Sequence, residues 1–133
     1  APAPPGSVPP EPGVQLYDPD RAVVRAGRVD ALAEATDGAE VGPDAGYVVS
    51  GAQVDLPWAR RYVIREVLPA APKAARAALR AQGIGRVTIK KRGTSVDPDA
   101  FRAKLRLPGG GTEGILVLTR TLRGSVTLLV DPV

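Results

Sequence analysis

The stretch that decides the fold is Gly83-Ile84-Gly85-Arg86-Val87-Thr88-Ile89-Lys90-Lys91-Arg92-Gly93, with Val96-Asp97-Pro98 close behind it. It predicts the end of one helix, then a strand, then the start of another helix. Gly83 suits the left-handed residue that follows a helix, and Ile84 can then pack on Leu79. Asp97 is a preferred N-cap residue and Pro98 a preferred first helical residue. A strand between two helices predicts helices packed on a sheet.

The strand predicted over residues 86–92 has two different faces, because side chains alternate across a sheet. Val87, Ile89 and Lys91 share the face that we expect to meet the helices. The other face is polar and is expected to be open to solvent or to a ligand; it holds Arg86, Thr88, Lys90 and Arg92. Three consecutive cations at a strand end indicate an anionic partner, or a strand edge whose charges discourage aggregation.

The remaining elements of the second half follow from similar patterns. Residues 62–68 are rich in β-branched side chains and predict a strand, and residues 72–82 predict a helix that Gly83 ends. Residues 115–121 and 125–130 predict an antiparallel hairpin joined at Arg123-Gly124. The predicted order is β-α-β-α-β-β, an α/β (α+β) fold with helices packed on a small mixed sheet of about four strands.

The first half of the chain is patterned differently. Residues 1–14 include six prolines and predict a linker or disordered end that makes no contact with the basic domain. Residues 15–56 predict a helical segment, with Asp18 as N-cap, Pro19 as first helical residue and an end near Thr36, and then an irregular connection with at most one short strand. The basic α/β domain is expected over residues 57–133. Because the chain begins with Ala1 and not Met, we expect it to be a C-terminal piece of a longer protein.

Composition excludes several classes of function. The chain contains no His and no Cys, which excludes disulfides, ordinary zinc sites and Ser-His or Cys-His nucleophile pairs. An enzyme would have to use carboxylates, Lys or Tyr, and the acids are concentrated in the irregular first part. We therefore expect no catalytic residue and no metal. No apolar run is long enough to span a membrane and no signal peptide is visible, so a cytoplasmic protein is expected.

Charge is distributed unevenly along the chain, although its net value is only +4. Residues 1–56 hold three Arg against nine acids, whereas residues 57–133 hold fifteen Lys and Arg against five acids. A basic domain favours anionic partners, of which nucleic acid is the commonest. The predicted phosphate-binding residues are the strand end and a helical stripe: Lys90, Lys91, Arg92, Gly93, Arg86, Lys73, Arg76 and Arg80. Gly93 is included because glycine permits the close approach of a phosphate.

Two other interpretations of these cations stay open. They are also explained as solvated charges on a structural module that packs on another domain or on a second copy. Arg supplies most of the cations, so the basic character of this half is also explained by a general use of Arg to keep the protein in solution. Lys and Arg in the predicted arrangement would position a sugar–phosphate backbone without reading the bases.

Several short segments resemble the THUMP-like domain found C-terminal to actinobacterial class I S-adenosylmethionine-dependent methyltransferases. They are Tyr17-Asp18-Pro19, Val24-Arg25-Ala26-Gly27, Glu66-Val67-Leu68-Pro69, Gly83-Ile84-Gly85-Arg86, Thr88-Ile89-Lys90-Lys91-Arg92-Gly93, Asp97-Pro98 and Leu116-Val117-Leu118-Thr119-Arg120. The resemblance runs from about Leu16 to the C-terminus, and the Ile-Lys-Lys-Arg-Gly run is its most specific part.

This resemblance implies an accessory RNA-binding role, with tRNA or rRNA as candidate partners and a methyltransferase domain upstream in the same chain. S-adenosylmethionine is then expected in the catalytic domain of that longer protein. No cofactor is expected in this chain, because it has no strand followed by a Gly-x-Gly loop that opens a helix.

Overall fold

The computed structural model describes residues 2–133, and within them seven strands form one sheet in the order β2-β3-β1-β4-β7-β6-β5. In chain order the elements are β1 (Gln15–Pro19), α1 (Arg21–Arg25), α2 (Val29–Ala35), β2 (Ala39–Glu40), β3 (Val48–Ser50), β4 (Ala59–Pro69), α3 (Pro72–Ala81), β5 (Ile84–Lys91), α4 (Pro98–Leu105), β6 (Thr112–Thr121) and β7 (Gly124–Pro132). The predicted α+β class is confirmed. The sheet is larger than expected, since about four strands were predicted.

The second half of the chain follows the predicted order β4-α3-β5-α4-β6-β7. β5 pairs with β6 in parallel, whereas β7 pairs with β4 and β6 antiparallel, so the sheet is mixed. Gly83 has a φ of 70° and its N–H donates to the Arg80 carbonyl at 3.1 Å, which ends α3. The Asp97 carboxylate accepts a hydrogen bond from the Asp99 N–H at 3.0 Å at the start of α4. Both predicted helix boundaries are confirmed.

Apolar side chains are buried on both faces of the sheet, in three clusters. Helices α3 and α4 cover one face, where Val87 and Ile89 of β5 meet them as predicted. The other face, which we call the inner face, is covered by the chain between β2 and β3 and by the N-terminal segment. Its buried residues are Leu16, Val41, Ala45, Tyr47, Val49, Tyr62, Ile64, Val117, Leu128 and Val130. Because side chains alternate, Lys90 and Arg92 lie on the inner face.

The sheet is strongly curved around its inner face. Three strands separate β1 from β5, yet the Asp18 carboxylate of β1 lies 2.9 Å from Nζ of Lys90 in β5. Neighbouring strands are about 4.8 Å apart, so a flat sheet would hold β1 and β5 about 19 Å apart. An aspartate and a lysine side chain together do not reach that far. The curvature therefore brings distant parts of the sequence to one place.

The predicted helix with Asp18 as its N-cap is wrong in its first part. Residues 15–19 form β1, which pairs antiparallel with both β3 and β4. Leu16 and Tyr17 are fully buried in the cores of opposite faces, which requires an extended backbone. The helical part consists of α1 and α2, separated at Gly27. The expected irregular connection after it contains β2 and β3.

The N-terminal segment is part of the fold, which contradicts the predicted linker without contacts. The Gly13 N–H donates to the Ile64 carbonyl at 2.8 Å, and the Gly6 N–H donates to the Glu40 carbonyl at 2.9 Å. Val8 and Val14 pack against the inner-face core. The prolines of this segment gave no indication of where these two valines lie. Ala1, also part of the predicted linker, lies outside the described residues.

The boundary expected between residues 56 and 57 does not divide the sheet. β1, β2 and β3 come from the first part of the chain and β4 to β7 from the second, and β1 pairs with β4 along five residues. The two parts therefore share one sheet and an inner-face core to which both contribute.

Replacing Val8 by Asp should destabilise the protein, because it places a charge where a side chain packs on the inner-face core. We expect a loss of about 1–2 kcal/mol and a fall in melting temperature of several degrees, measured by circular dichroism. Ser7→Asp adds the same charge at the exposed neighbouring position and should leave the melting temperature nearly unchanged. Equal effects of the two variants would contradict the packing role of Val8.

Candidate nucleic-acid interface

Helix α1, the start of β4 and the end of β5 border an open groove of about 530 Å³. We call it the basic groove, because six of its residues are cationic and two are acidic. It is lined by Asp18, Pro19, Asp20, Arg21, Val24, Arg25, Tyr47, Arg60, Lys90, Lys91 and Arg92. The groove brings together cations that are up to 71 residues apart in the sequence, and only the curvature of the sheet makes this possible.

Asp18 binds two of the three consecutive cations at the end of β5. Its Oδ2 accepts a hydrogen bond from Nζ of Lys90 at 2.9 Å, and its Oδ1 lies 2.7 Å from Nη1 of Arg92. The second contact is an ion pair that lacks hydrogen-bond alignment. The three side chains are 11% (Asp18), 28% (Lys90) and 23% (Arg92) exposed. We call these residues the Asp18 triad, and its pairs are partly withdrawn from water.

Further contacts hold both cations of the triad. Nζ of Lys90 lies 5.8 Å from the centre of the Tyr62 ring, and the Arg92 guanidinium lies 5.2 Å from the centre of the Tyr47 ring. Arg92 also donates to the Pro19 carbonyl at 3.0 Å and to the Gly46 carbonyl at 3.3 Å. Lys90 and Arg92 therefore make most of their polar contacts with other parts of the same chain. Both side chains are half-buried and also line the basic groove, so the face expected to be open to solvent or a ligand is only partly open at these two residues.

Position 93 requires a glycine because the backbone at Ala45 lies too close to it for a side chain. Its φ is 73°, and a Cβ at this position would lie 2.6 Å from Cα of Ala45. Any larger residue would displace the chain between β2 and β3 from the end of β5. The sequence predicted the close approach of a phosphate at Gly93, and the neighbour that the structure shows there is the backbone at Ala45.

Electrostatics at the Asp18 triad favours the charged form of Lys90. Partial burial by itself would lower the pKa of Lys90, but the hydrogen bond and negative charge of Asp18 outweigh it and raise the pKa above its ordinary value. Burial raises the pKa of Tyr47, Asp18 raises it further, and Arg92 opposes the change. Lys90 thus stays protonated and Tyr47 neutral well above neutral pH.

The other four cations of the basic groove are exposed and have no ion-pair partner within residues 2–133: Arg21, Arg25, Arg60 and Lys91. Arg21 and Arg25 are four residues apart on α1, a spacing that places side chains on one helix face. Lys91 lies on the opposite side of β5 from Lys90 and makes no ion pair with Asp18, although it also lines the groove. These four residues are the cations that the groove can offer to an anion.

The remaining predicted site residues lie elsewhere. Lys73, Arg76 and Arg80 belong to α3, which packs on the face of the sheet opposite the inner face. Arg86 is exposed at the other end of β5, about 13 Å along the strand from Lys90. The predicted basic surface is therefore two separate surfaces. The sequence analysis did not include Arg21, Arg25 and Arg60 among the site residues. Only Arg21 and Arg25 could have been found from the sequence, because they are four residues apart in a predicted helix.

Stability should decrease in alkaline solution because of Lys90 and Tyr47. Both residues have raised pKa values in the folded protein. The folded state therefore holds its protons where the unfolded state, with ordinary values near 10, releases them. The stabilisation is complete below about pH 10 and is lost as pH rises above it. Urea unfolding at a series of pH values measures this loss.

Tyr47→Phe is the matched variant for the alkaline loss, because it removes the ionisable hydroxyl and keeps the ring beside Arg92. It should show a smaller decrease in the free energy of unfolding above about pH 10 than the natural chain. An alkaline decrease of unchanged size in Tyr47→Phe would contradict the role given to Tyr47.

The family of the chain follows from comparison with known proteins. Residues 59–132 match the family model described as THUMP domain-like, and the chain belongs to this family. It is 35% identical over 115 residues to an uncharacterized S-adenosylmethionine-dependent methyltransferase found in two strains of Mycobacterium tuberculosis. The match covers 86% of this chain but 31% of the length of those relatives. The chain thus spans about a third of the length of these relatives.

The fold is shared with a crystal structure of a protein from Porphyromonas gingivalis W83 that is named as a candidate methyltransferase. The TM-score is 0.77 at 21% identity, and the match covers 92% of this chain and 30% of that one. Because the match covers nearly all of this chain, the strands before residue 59 belong to the shared fold together with the family-matched part.

Membrane-spanning helices and metal sites were the two remaining kinds of feature to consider in residues 2–133. In residues 2–133 no helix is long and apolar enough to cross a membrane. The same part of the chain has no group of three or more acidic side chains arranged to hold a metal ion.

Proposed function

We propose that this chain is an accessory RNA-binding domain of an S-adenosylmethionine-dependent methyltransferase, and that the basic groove positions RNA through phosphate contacts. The observation that carries the proposal is the set of four exposed, unpaired cations in one groove. Family membership and the methyltransferase names of the relatives support the parent class. Contacts of this kind orient a nucleic acid without reading its sequence.

The groove residues proposed to bind phosphate are Arg21, Arg25, Arg60 and Lys91. Lysine and arginine that neutralise phosphates release counterions, so affinity falls with salt in proportion to the number of contacts. Lys73, Arg76 and Arg80 form the competing surface on α3. Replacing three cations of either surface lowers the net charge by the same amount, which allows a matched comparison.

Replacing Arg21, Arg25 and Lys91 together by Gln should weaken RNA binding and flatten its salt dependence. Each lost phosphate contact lowers the slope of log affinity against log salt by roughly 0.7–0.9, so we expect a decrease of about 2–2.7. The measurement is fluorescence anisotropy with a labelled oligouridylate and a hairpin RNA of equal length. Folding should survive, because exposed charges contribute little to stability.

The control is the triple replacement of Lys73, Arg76 and Arg80 by Gln, which removes the same charge from α3. It should change the slope much less than the groove variant does. Equal effects would show attraction to overall charge and would contradict a groove-specific interface. If RNA binds and neither variant changes its binding, the phosphate contacts lie on neither surface and the groove interface is overturned. Absence of RNA binding by the natural chain would instead favour the alternative role, a module that packs on a methyltransferase domain or on a second copy.

S-adenosylmethionine binding is proposed to belong to the rest of the longer protein. The strands of this chain lead into helices without the Gly-x-Gly loop that holds such a cofactor. Isothermal titration calorimetry should detect no binding of S-adenosylmethionine to this chain, and should detect it with a full-length relative. Tight binding to this chain alone would contradict the accessory role.

A further inference from the structure

We propose that Asp18 limits the charge that the basic groove offers to a polyanion, by holding Lys90 and Arg92 in the fold. The four remaining groove cations then make the phosphate contacts. This inference adds detail to the proposed function, and it rests on that function where the polyanion is RNA. It assigns Asp18 as a positioning residue that sets the strength and salt dependence of binding.

The first argument is the burial and pairing of the carboxylate. Asp18 is 11% exposed, and each of its oxygens faces a different cation, at 2.9 Å for Lys90 and 2.7 Å for Arg92. A phosphate that took either cation would leave part of this carboxylate unpaired in a site with little water. Removing one partner of a buried pair is unfavourable for that reason. The exposed cations of the groove carry no such penalty.

The second argument is the number of other bonds that the two cations would give up. Arg92 donates to two backbone carbonyls and stacks near Tyr47, and Lys90 lies over Tyr62. Turning either side chain toward a ligand would lose these contacts together. Lys91, the residue between them, is exposed and has no ion-pair partner in the described part of the chain. The three consecutive cations thus divide into two structural residues and one available residue.

Asp20 provides a matched comparison within the same groove. It lines the groove as Asp18 does, but it is exposed and its side chain makes no capping hydrogen bond to α1. Neither Lys90 nor Arg92 depends on it. Neutralising Asp20 changes the net charge by the same amount as neutralising Asp18 and releases no cation from the fold.

The first experiment compares Asp18→Asn with Asp20→Asn, using the oligouridylate over a range of salt concentrations. Asp18→Asn frees up to two cations and should steepen the salt slope by about 0.7–1.4. Asp20→Asn should keep the slope of the natural chain. Equal slopes in the two variants would overturn the inference.

A second pair of variants keeps the inference testable if Asp18→Asn fails to fold. Lys90→Gln keeps a hydrogen-bond donor for Asp18 but loses the charge, so it should lower the melting temperature. Its effect on the salt slope should be less than half of the effect of Lys91→Gln. Lys91→Gln should lower the slope by about 0.7 and leave stability unchanged. An equal loss of slope in Lys90→Gln would show that Lys90 contacts phosphate and would overturn the inference.

A polyanion other than RNA separates this inference from the proposed function. If the natural chain binds neither the oligouridylate nor the hairpin RNA, the proposed function is overturned. Elution from heparin then still tests Asp18 directly. Elution of Asp18→Asn at higher salt than Asp20→Asn supports the inference, and elution of both at the same salt overturns it.

Discussion

The structure depends on the contact between Asp18 of β1 and the two cations at the end of β5. These residues are 72 and 74 positions apart in the sequence and lie on strands that three others separate. The contact closes the curved sheet over its inner-face core. Its pairs are only partly exposed, so their benefit depends on good geometry and on the additional partners that Arg92 finds in backbone carbonyls.

The same closure creates the basic groove. Arg21 and Arg25 come from α1, which follows β1 directly, and Lys91 comes from the end of β5. With β1 and β5 about 19 Å apart in a flat sheet, these cations could not border one groove. The residues that shape the groove are therefore different from the residues that it offers to a ligand, although both kinds line it. Such a division suits the proposed accessory role, in which this domain positions RNA and the chemistry takes place in another domain.

Local signals in the sequence predicted local structure well. Gly83 and the pair Asp97-Pro98 were sufficient to place the end of α3 and the start of α4, because helix capping involves only a few neighbouring residues. The same kind of signal failed at Asp18-Pro19. There, Leu16 and Tyr17 must be buried on opposite faces, and this tertiary requirement prevails over a favourable helix start. Strand order and curvature have no local signal at all.

The candidate site shows the same limit in its charges. Alternation along β5 correctly separated Lys91 from Lys90 and Arg92. This alternation could not show that Asp18, Tyr47 and Tyr62 contact these cations on the inner face, because those residues come from other strands and a loop. A sequence gives the number of cations, whereas the fold decides how many remain available. Six cations line the groove, and four of them are unpaired within residues 2–133 while Asp18 pairs with the other two; under the proposed function, Asp18 therefore sets how many cations a polyanion meets.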